Sequence, residues 1–237
     1  MGLSVIAGEL RGLGVAVSAT TVRKLLREAG LEPAGERAGL SWREFLRIQA
    51  HSMIAVDFFT VETVWLERLY VLFFIELGSR RVHLAGCTAK PSGTWVTQQA
   101  RQLAWTLTER ANPLRFLIRD RDSKFTRDFD TVFQSEGIET IRTPVRAPKA
   151  NAVAERFVRT VRGECLDWLL IVNRQHLERV LRVFVQHYNG HRPHRSLNFA
   201  PPDPQQPTLR LVTSPRPGHV ERRDRLGGLI HEYSLAA

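Results

Sequence analysis

Cysteine is almost missing from this chain. Its 237 residues include two, Cys87 and Cys165, far apart in sequence. A disulfide framework is therefore not expected, and the count excludes a zinc site built from several cysteines. Long apolar runs are missing too. A stretch such as "YVLFFI" is far short of the roughly 20 residues a membrane-spanning helix needs, so no membrane partner is expected. The N-terminus lacks the charged region, apolar stretch and small-residue cleavage site of a signal peptide, so a cytoplasmic location is expected. Acidic residues are outnumbered, 24 against 34 Lys and Arg, for a net charge of +10 and a pI near 10.7. That excess favours a polyanionic partner such as nucleic acid but specifies no fold. What is present suffices for a core, since 43% of residues are hydrophobic.

Three regions follow from the pattern. Residues 1–40 read as two short helices and a linker. "VIAGELRGLG" ends in glycine. "VSATTVRKLLREAG" opens on Ser18 as N-cap and closes on Gly30, with Val22, Leu25, Leu26 and Ala29 at helical spacing. Two helices around a Gly-containing turn outline a partial helix-turn-helix, a DNA-binding element that would present Arg23, Lys24 and Arg27. A plain helical hairpin fits the same pattern. "LEPAGERAGLSW" has the Gly and Pro content of a linker.

Residues 41–200 change period. "MIAVDFFTV", "LERLYVLFFIEL" and "RRVHLAGCT" read as an antiparallel meander. A helix follows, with Val96, Ala100, Leu103 and Leu107 on one face. The wholly apolar "LRFLI" has the character of a central parallel strand. Then come a helix ending at Gly137 and a short strand, "IETIRT". The expectation is an α/β fold: a mixed sheet of five strands with helices on both faces. Two amphipathic helices close the region. Residues 201–237 read as a Pro/Arg-rich tail, with six of the twelve prolines between positions 201 and 217.

Three acids stand out by position. Asp57 lies inside the first apolar strand, where a carboxylate is costly without a partner. Asp120 follows "FLIR", at the C-terminal end of the central strand, the end at which sites assemble in such sheets. Glu155 lies near the start of "NAVAERFVRTVR", at the border of an apolar stripe made by Ala154, Phe157, Val158 and Val161. Taken singly, each acid is more often structural than catalytic, and Glu155 could pair with Arg159 at i+4. Together they offer three hard oxygen ligands suited to Mg²⁺ or Mn²⁺. Two such ions about 3.5–4 Å apart serve in-line phosphoryl displacement.

The stretches "DFFTVETVWLERLYVLFFIELGSRRVHLAG", "IRDRDSKF", "RTPVRAPKANAVAERFVR" and "YNGHRPHRSL" carry a resemblance. Over roughly residues 42–200 the chain resembles the integrase core of bacterial insertion-sequence transposases, the DDE recombinases. The resemblance implies a ribonuclease H-like fold, and a catalytic and metal-binding triad of Asp57, Asp120 and Glu155, with 34 residues between the last two. It implies cleavage at transposon ends with Mg²⁺ or Mn²⁺, two ions in the active complex, and transfer of the 3′-hydroxyl into target DNA. It also implies a homo-oligomer on DNA. Two positions depart from the family pattern. Asp122 stands in "DRDSKF" where Gly is common, which leaves it a turn or auxiliary carboxylate once Phe125 fixes the register. Ala152 replaces the usual Gly before the last helix. The other readings are a non-catalytic DNA-binding remnant and a structure-selective nuclease of the same fold.

Arg142, Arg146, Lys149, Asn151, Arg156, Arg159 and Arg162 flank the triad, as a solvated basic face or, beside a DNA-cutting centre, as phosphate contacts. His187, His191 and His194 surround "YNGHRPH". With no cysteine near and arginines beside Pro193, they read as structural or DNA-contacting rather than as a zinc site.

Overall fold

A computed structural model describes residues 3–29, 42–107, 113–143, 152–203 and 220–235. The chain divides into two compact units, Met1–Phe45 and Leu46–Ala237.

The first unit holds α1 (Leu3–Gly12) and α2 (Ala19–Glu28), packed on each other. The Ser18 hydroxyl caps α2 by accepting from the Thr21 amide at 3.1 Å, as its sequence position foretells. Gly30 lies outside the described residues; the cap observed is Ala29. Val22 is buried, but Leu25 is 55% exposed, so the apolar stripe is covered only in part. Arg23, Lys24 and Arg27 face solvent. A third helix, α3 (Trp42–Gln49), begins where the linker stretch ends, over residues to which the sequence pattern assigns no element.

In the second unit, β1 (Met53–Glu62), β2 (Arg68–Glu76) and β3 (Val82–Thr88) form the expected meander. After α4 (Gly93–Leu107), β4 (Phe116–Arg119) pairs parallel with β1. After α5 (Arg127–Ser135), β5 (Glu139–Arg142) pairs parallel with β4. The sheet is mixed and five-stranded, in the order β3-β2-β1-β4-β5. Strand alternation gives it two apolar faces. Ile54, Val56, Leu72, Phe74 and Leu117 pack with Val96, Ala100 and Leu103 of α4 and with Phe129 and Phe133 of α5. On the opposite face the Phe73 ring lies 5.8 Å from Phe59 and 4.9 Å from Phe157, which belongs to α6 (Ala152–Glu164). Phe157 in turn meets Phe184 and Tyr188 of α7 (Arg174–Gly190), at 6.5 and 5.1 Å.

The C-terminal region is not wholly a tail. Residues 220–235 form an antiparallel hairpin of β6 (Val220–Arg225) and β7 (Ile230–Leu235), turning through Gly227 and Gly228, both at positive φ. The proline density that marks a tail ends at Pro217, and Gly-Gly between two short runs is a hairpin signal.

Candidate active site

The strand register builds the site. β1 and β4 pair with Met53 opposite Phe116, Ile54 opposite Leu117 and Ala55 opposite Ile118. Continued two residues past that ladder, the same offset brings Asp57 level with Asp120. Ile54, Val56 and Leu117 point toward α4 and α5. Alternation therefore sends Ala55 and Asp57, and with them Ile118 and Asp120, to the face that α6 covers. On α6, Ala154, Phe157 and Val161 are buried against the sheet, while Glu155 stays exposed at the edge of that stripe.

The electrostatics of Asp57 reflect its neighbours. Burial first, and then the negative charges of Asp120, Glu155 and Asp122, push the Asp57 carboxyl up to about 6 from 3.8. A hydrogen bond from the Phe58 amide to Oδ1, 2.7 Å long, opposes the rise. Carboxylates gathered around a partly buried Asp57 make a donor set complementary to a hard divalent cation. No histidine or cysteine belongs to it, which fits Mg²⁺ or Mn²⁺ better than zinc.

The "RDRDSKF" turn is fixed from within. Asp120 Oδ1 accepts from the Asp122 amide at 3.0 Å, an Asx-type turn. Asp122 accepts from the Lys124 amide at 2.9 Å and pairs with Lys124 Nζ at 2.5 Å. Burial raises the Asp122 carboxyl, but its bonds to Lys124 outweigh that and leave it below the usual value. Asp122 is thus committed to the turn. Arg119 explains the basic residues around it. Its guanidinium, almost fully buried, grips Asp130 of α5 through Nε and Nη2 at 2.8 and 2.6 Å, and Nη1 donates to the Asp120 carbonyl at 3.0 Å. The arginine before Asp120 holds the strand end. It does not neutralise the aspartates.

The other expected residues separate by role. Arg146, Lys149 and Asn151 lie outside the described residues. Arg162 Nη2 donates to the Thr60 carbonyl at 2.6 Å and ties α6 to β1. Arg142 lies 3.6 Å from Asp130 with its side chain 58% exposed. Arg156 and Arg159 are exposed on α6.

A cationic cleft beside α6 was not legible in the sequence. Its volume is about 410 Å³, and Arg80, Arg156, Arg192 and Arg195 line it with Tyr188 and His194. Arg80 sits at φ 66°, a left-handed conformation that costs a non-glycine residue of order 1 kcal/mol. Burial lowers the affinity of its guanidinium for a proton, and Arg156 adds to the effect. Among the described residues no carboxylate pairs with Arg80, Arg156 or Arg195. Arg192 is bound bidentately by Glu164. His194 is buried against Tyr188, with ring centroids 4.6 Å apart, and burial followed by the charge of Arg192 pushes it down to about 4. The clue in the sequence was "RPHR"; its partner Arg80 comes from the distant β2–β3 turn.

Comparison with known proteins bears on the fold. Residues 136–202 match the family model described as the integrase core domain. No curated protein matches the chain in sequence. Among solved structures, the human T-lymphotropic virus 2 (HTLV-2) integrase catalytic core domain in complex with magnesium, in its dimeric form, is 12% identical. It aligns over 60% of this chain and 88% of its own, with a TM-score of 0.47. The simian T-cell lymphotropic virus intasome in complex with the PP2A regulatory subunit B56 gamma is also 12% identical. It aligns over 96% of this chain and 82% of its own, with a TM-score of 0.53. The mixed sheet in the order β3-β2-β1-β4-β5, with helices on both faces, is a ribonuclease H-like fold, and residues 136–202 match the integrase core domain model.

Proposed function

We propose that this chain is a DDE-type polynucleotidyl transferase, a transposase that cuts DNA at transposon ends and transfers the 3′-hydroxyl into target DNA. The observation that carries this reading is the meeting of Asp57, Asp120 and Glu155 on one face of the sheet, with Asp57 held near 6 by burial and by the other acids. Asp57 and Asp120 are presented by rigid neighbouring strands, and Glu155 by a helix anchored through Phe157 and Arg162. Mg²⁺ or Mn²⁺ bound by these three, two ions in the active complex, would supply Lewis acidity to the attacking and leaving oxygens of an in-line displacement. The chain's own part is positional. Arg119 fixes the strand end, Asp122 and Lys124 fix the turn, and the unpaired arginines of the cleft and of α6 hold backbone phosphates beside the carboxylates. The integrase core match over residues 136–202 and the fold support this class of function. The active form in this reading is a homo-oligomer synapsing two DNA ends. No described helix is long and apolar enough to cross a membrane.

The test is cleavage and strand transfer on oligonucleotide duplexes bearing the element's ends, with Mg²⁺ or Mn²⁺. Asp57→Asn, Asp120→Asn and Glu155→Gln should each abolish both reactions and leave DNA affinity nearly intact. Near wild-type cleavage by any one of them removes that residue from the triad. Cleavage without joining by the parent protein indicates a nuclease. Binding with no cleavage at all indicates a DNA-binding remnant.

A further inference from the structure

The C-terminal hairpin has little to hold it in place. β6 is exposed along nearly its whole length, and Ile230 and Glu232 are the well-buried side chains of the pair. A two-stranded hairpin alone is marginal in water. Yet Glu232, a carboxylate, is 5% exposed and is directed at α7.

There it meets two histidines one helical turn apart. Glu232 Oε1 lies 3.4 Å from His187 Nδ1 and 3.6 Å from His191 Nδ1. A potential ligand atom from each of the three lies within 4.8 Å of the others. The imidazole planes are parallel to within 2°. Glu232 Oε1 and His187 Nδ1 are both buried and make no hydrogen bond of good geometry. Buried polar atoms in a native fold are normally satisfied, so this pair marks a missing partner. The other oxygen, Oε2, accepts from Arg225 Nε at 3.1 Å. The carboxylate is thereby oriented, as outer hydrogen bonds orient metal ligands.

The spacing favours one answer. Ligands held at about 2.1 Å on a tetrahedron stand roughly 3.4 Å apart, the separation Glu232 Oε1 keeps from both rings. Histidines at i and i+4 share a helix face and serve as a bidentate zinc pair elsewhere in proteins. His191 is 44% exposed, which leaves a solvent side for a fourth ligand. The expectation from "YNGHRPH" alone, structural or DNA-contacting histidines, lacked the third ligand, which comes from a hairpin more than forty residues downstream. His194 takes no part.

We propose that His187, His191 and Glu232 form a binding site for a divalent ion of the zinc class, with water as fourth ligand, and that this ion staples the C-terminal hairpin to α7. The site is separate from the three carboxylates of the sheet and does not depend on their role.

The experiment counts metal in the full chain. To remove the other carboxylates from the count, it uses a background carrying Asp57→Asn, Asp120→Asn and Glu155→Gln. After chelation and dialysis, Zn²⁺ is titrated calorimetrically and Co²⁺ by visible absorption. The proposal expects one ion per chain, with the intense ligand-field bands of tetrahedral Co²⁺. It expects His191→Ala and Glu232→Gln to weaken binding by more than about 100-fold, and Arg225→Gln by roughly 10- to 100-fold. Zn²⁺ should raise the melting temperature of the background protein and leave Glu232→Gln unmoved. Because Glu232→Gln also removes the ion pair with Arg225 inside the hairpin, His191→Cys at a solvent-facing position gives a second readout: it should keep the ion and add a thiolate-to-cobalt charge-transfer band. Absence of stoichiometric binding overturns the proposal. So does binding that survives both ligand variants, or a His191→Cys protein without the new band.

Discussion

Neutralising Asp57 should stabilise the protein while destroying its proposed activity. The carboxyl titrates near 3.8 in an unfolded chain and near 6 in the fold, because burial and three neighbouring acids disfavour its charge. The folded state therefore holds this proton more tightly. Its favourable contribution is complete below about pH 3.8 and is lost as pH rises through about 6, so at neutral pH the ionised side chain is a net cost. A rise of about two units at 1.36 kcal/mol each makes that cost about 3 kcal/mol. Asparagine keeps the shape and an oxygen to accept from the Phe58 amide, but carries no charge. Asp57→Asn should then be more stable than the parent by up to about 3 kcal/mol at pH 7.5 in EDTA. For a chain of this size that corresponds to a melting temperature higher by roughly 6–12 °C. The advantage should shrink below pH 6 and vanish near pH 4. Saturating Mg²⁺ or Mn²⁺ should shrink it too, because the cation stabilises only the protein that binds it. Melting curves of the two proteins from pH 4 to 8, with and without metal, make the comparison. A variant equal to or less stable than the parent at pH 7.5 refutes the electrostatic picture of the site. So does an advantage that does not change with pH.

Arg119→Ala should cost about 3 kcal/mol in urea denaturation, since it leaves Asp130 only the more distant, exposed Arg142 and loosens the Asp120 carbonyl; a loss under 1 kcal/mol would show the bidentate grip to be dispensable. Asp122→Asn should cleave end duplexes at near-parental rates where Asp120→Asn is inactive, and the opposite pattern would move the catalytic register by two residues. Phe157→Ala, removing a ring packed on Phe73 and Tyr188, should cost about 3–5 kcal/mol by calorimetry and weaken cleavage by loosening the helix that carries Glu155; unchanged stability would mean α6 is held otherwise.

The sheet was legible because its signals are local. "MIAVDFFTV" and "LRFLI" are apolar enough to be strands on their own, and the switch to Val96, Ala100, Leu103 and Leu107 announces a helix without reference to anything distant. The level placement of Asp57 and Asp120 needed only the parallel pairing of two such strands. What escaped was non-local or small. The helix Trp42–Gln49 follows a Gly/Pro-rich stretch, and eight residues give too few turns for its period to stand out. Arg80 enters the cationic cleft only because the β2–β3 turn adopts a left-handed conformation that an arginine rarely takes. Glu232 looked like one more charge in a basic tail, and its burial depends on where the hairpin lands.

These misses share a physical origin that bears on how the chain works. Positions read correctly are those whose free energy is set by their own strand or helix, chiefly through apolar burial. Apart from the short helix Trp42–Gln49, those missed are charged groups whose cost is met by partners elsewhere in the sequence: Arg119 by Asp130, Arg192 by Glu164, Glu232 by Arg225 and two histidines. A buried charge is tolerated only where an opposite charge or an ion comes with it, so each one that remains incompletely matched points to a ligand. By that criterion the described residues of the second unit offer three such places. The acids around Asp57 want a hard cation, and the arginines around Arg80 want an anion. Glu232 Oε1 with His187 Nδ1 wants a softer metal. The first two adjoin through α6, where Glu155 and Arg156 are consecutive residues projecting in different directions. Under the proposed function, a phosphodiester lying along that helix would meet the arginines directly and the carboxylates through a bound cation.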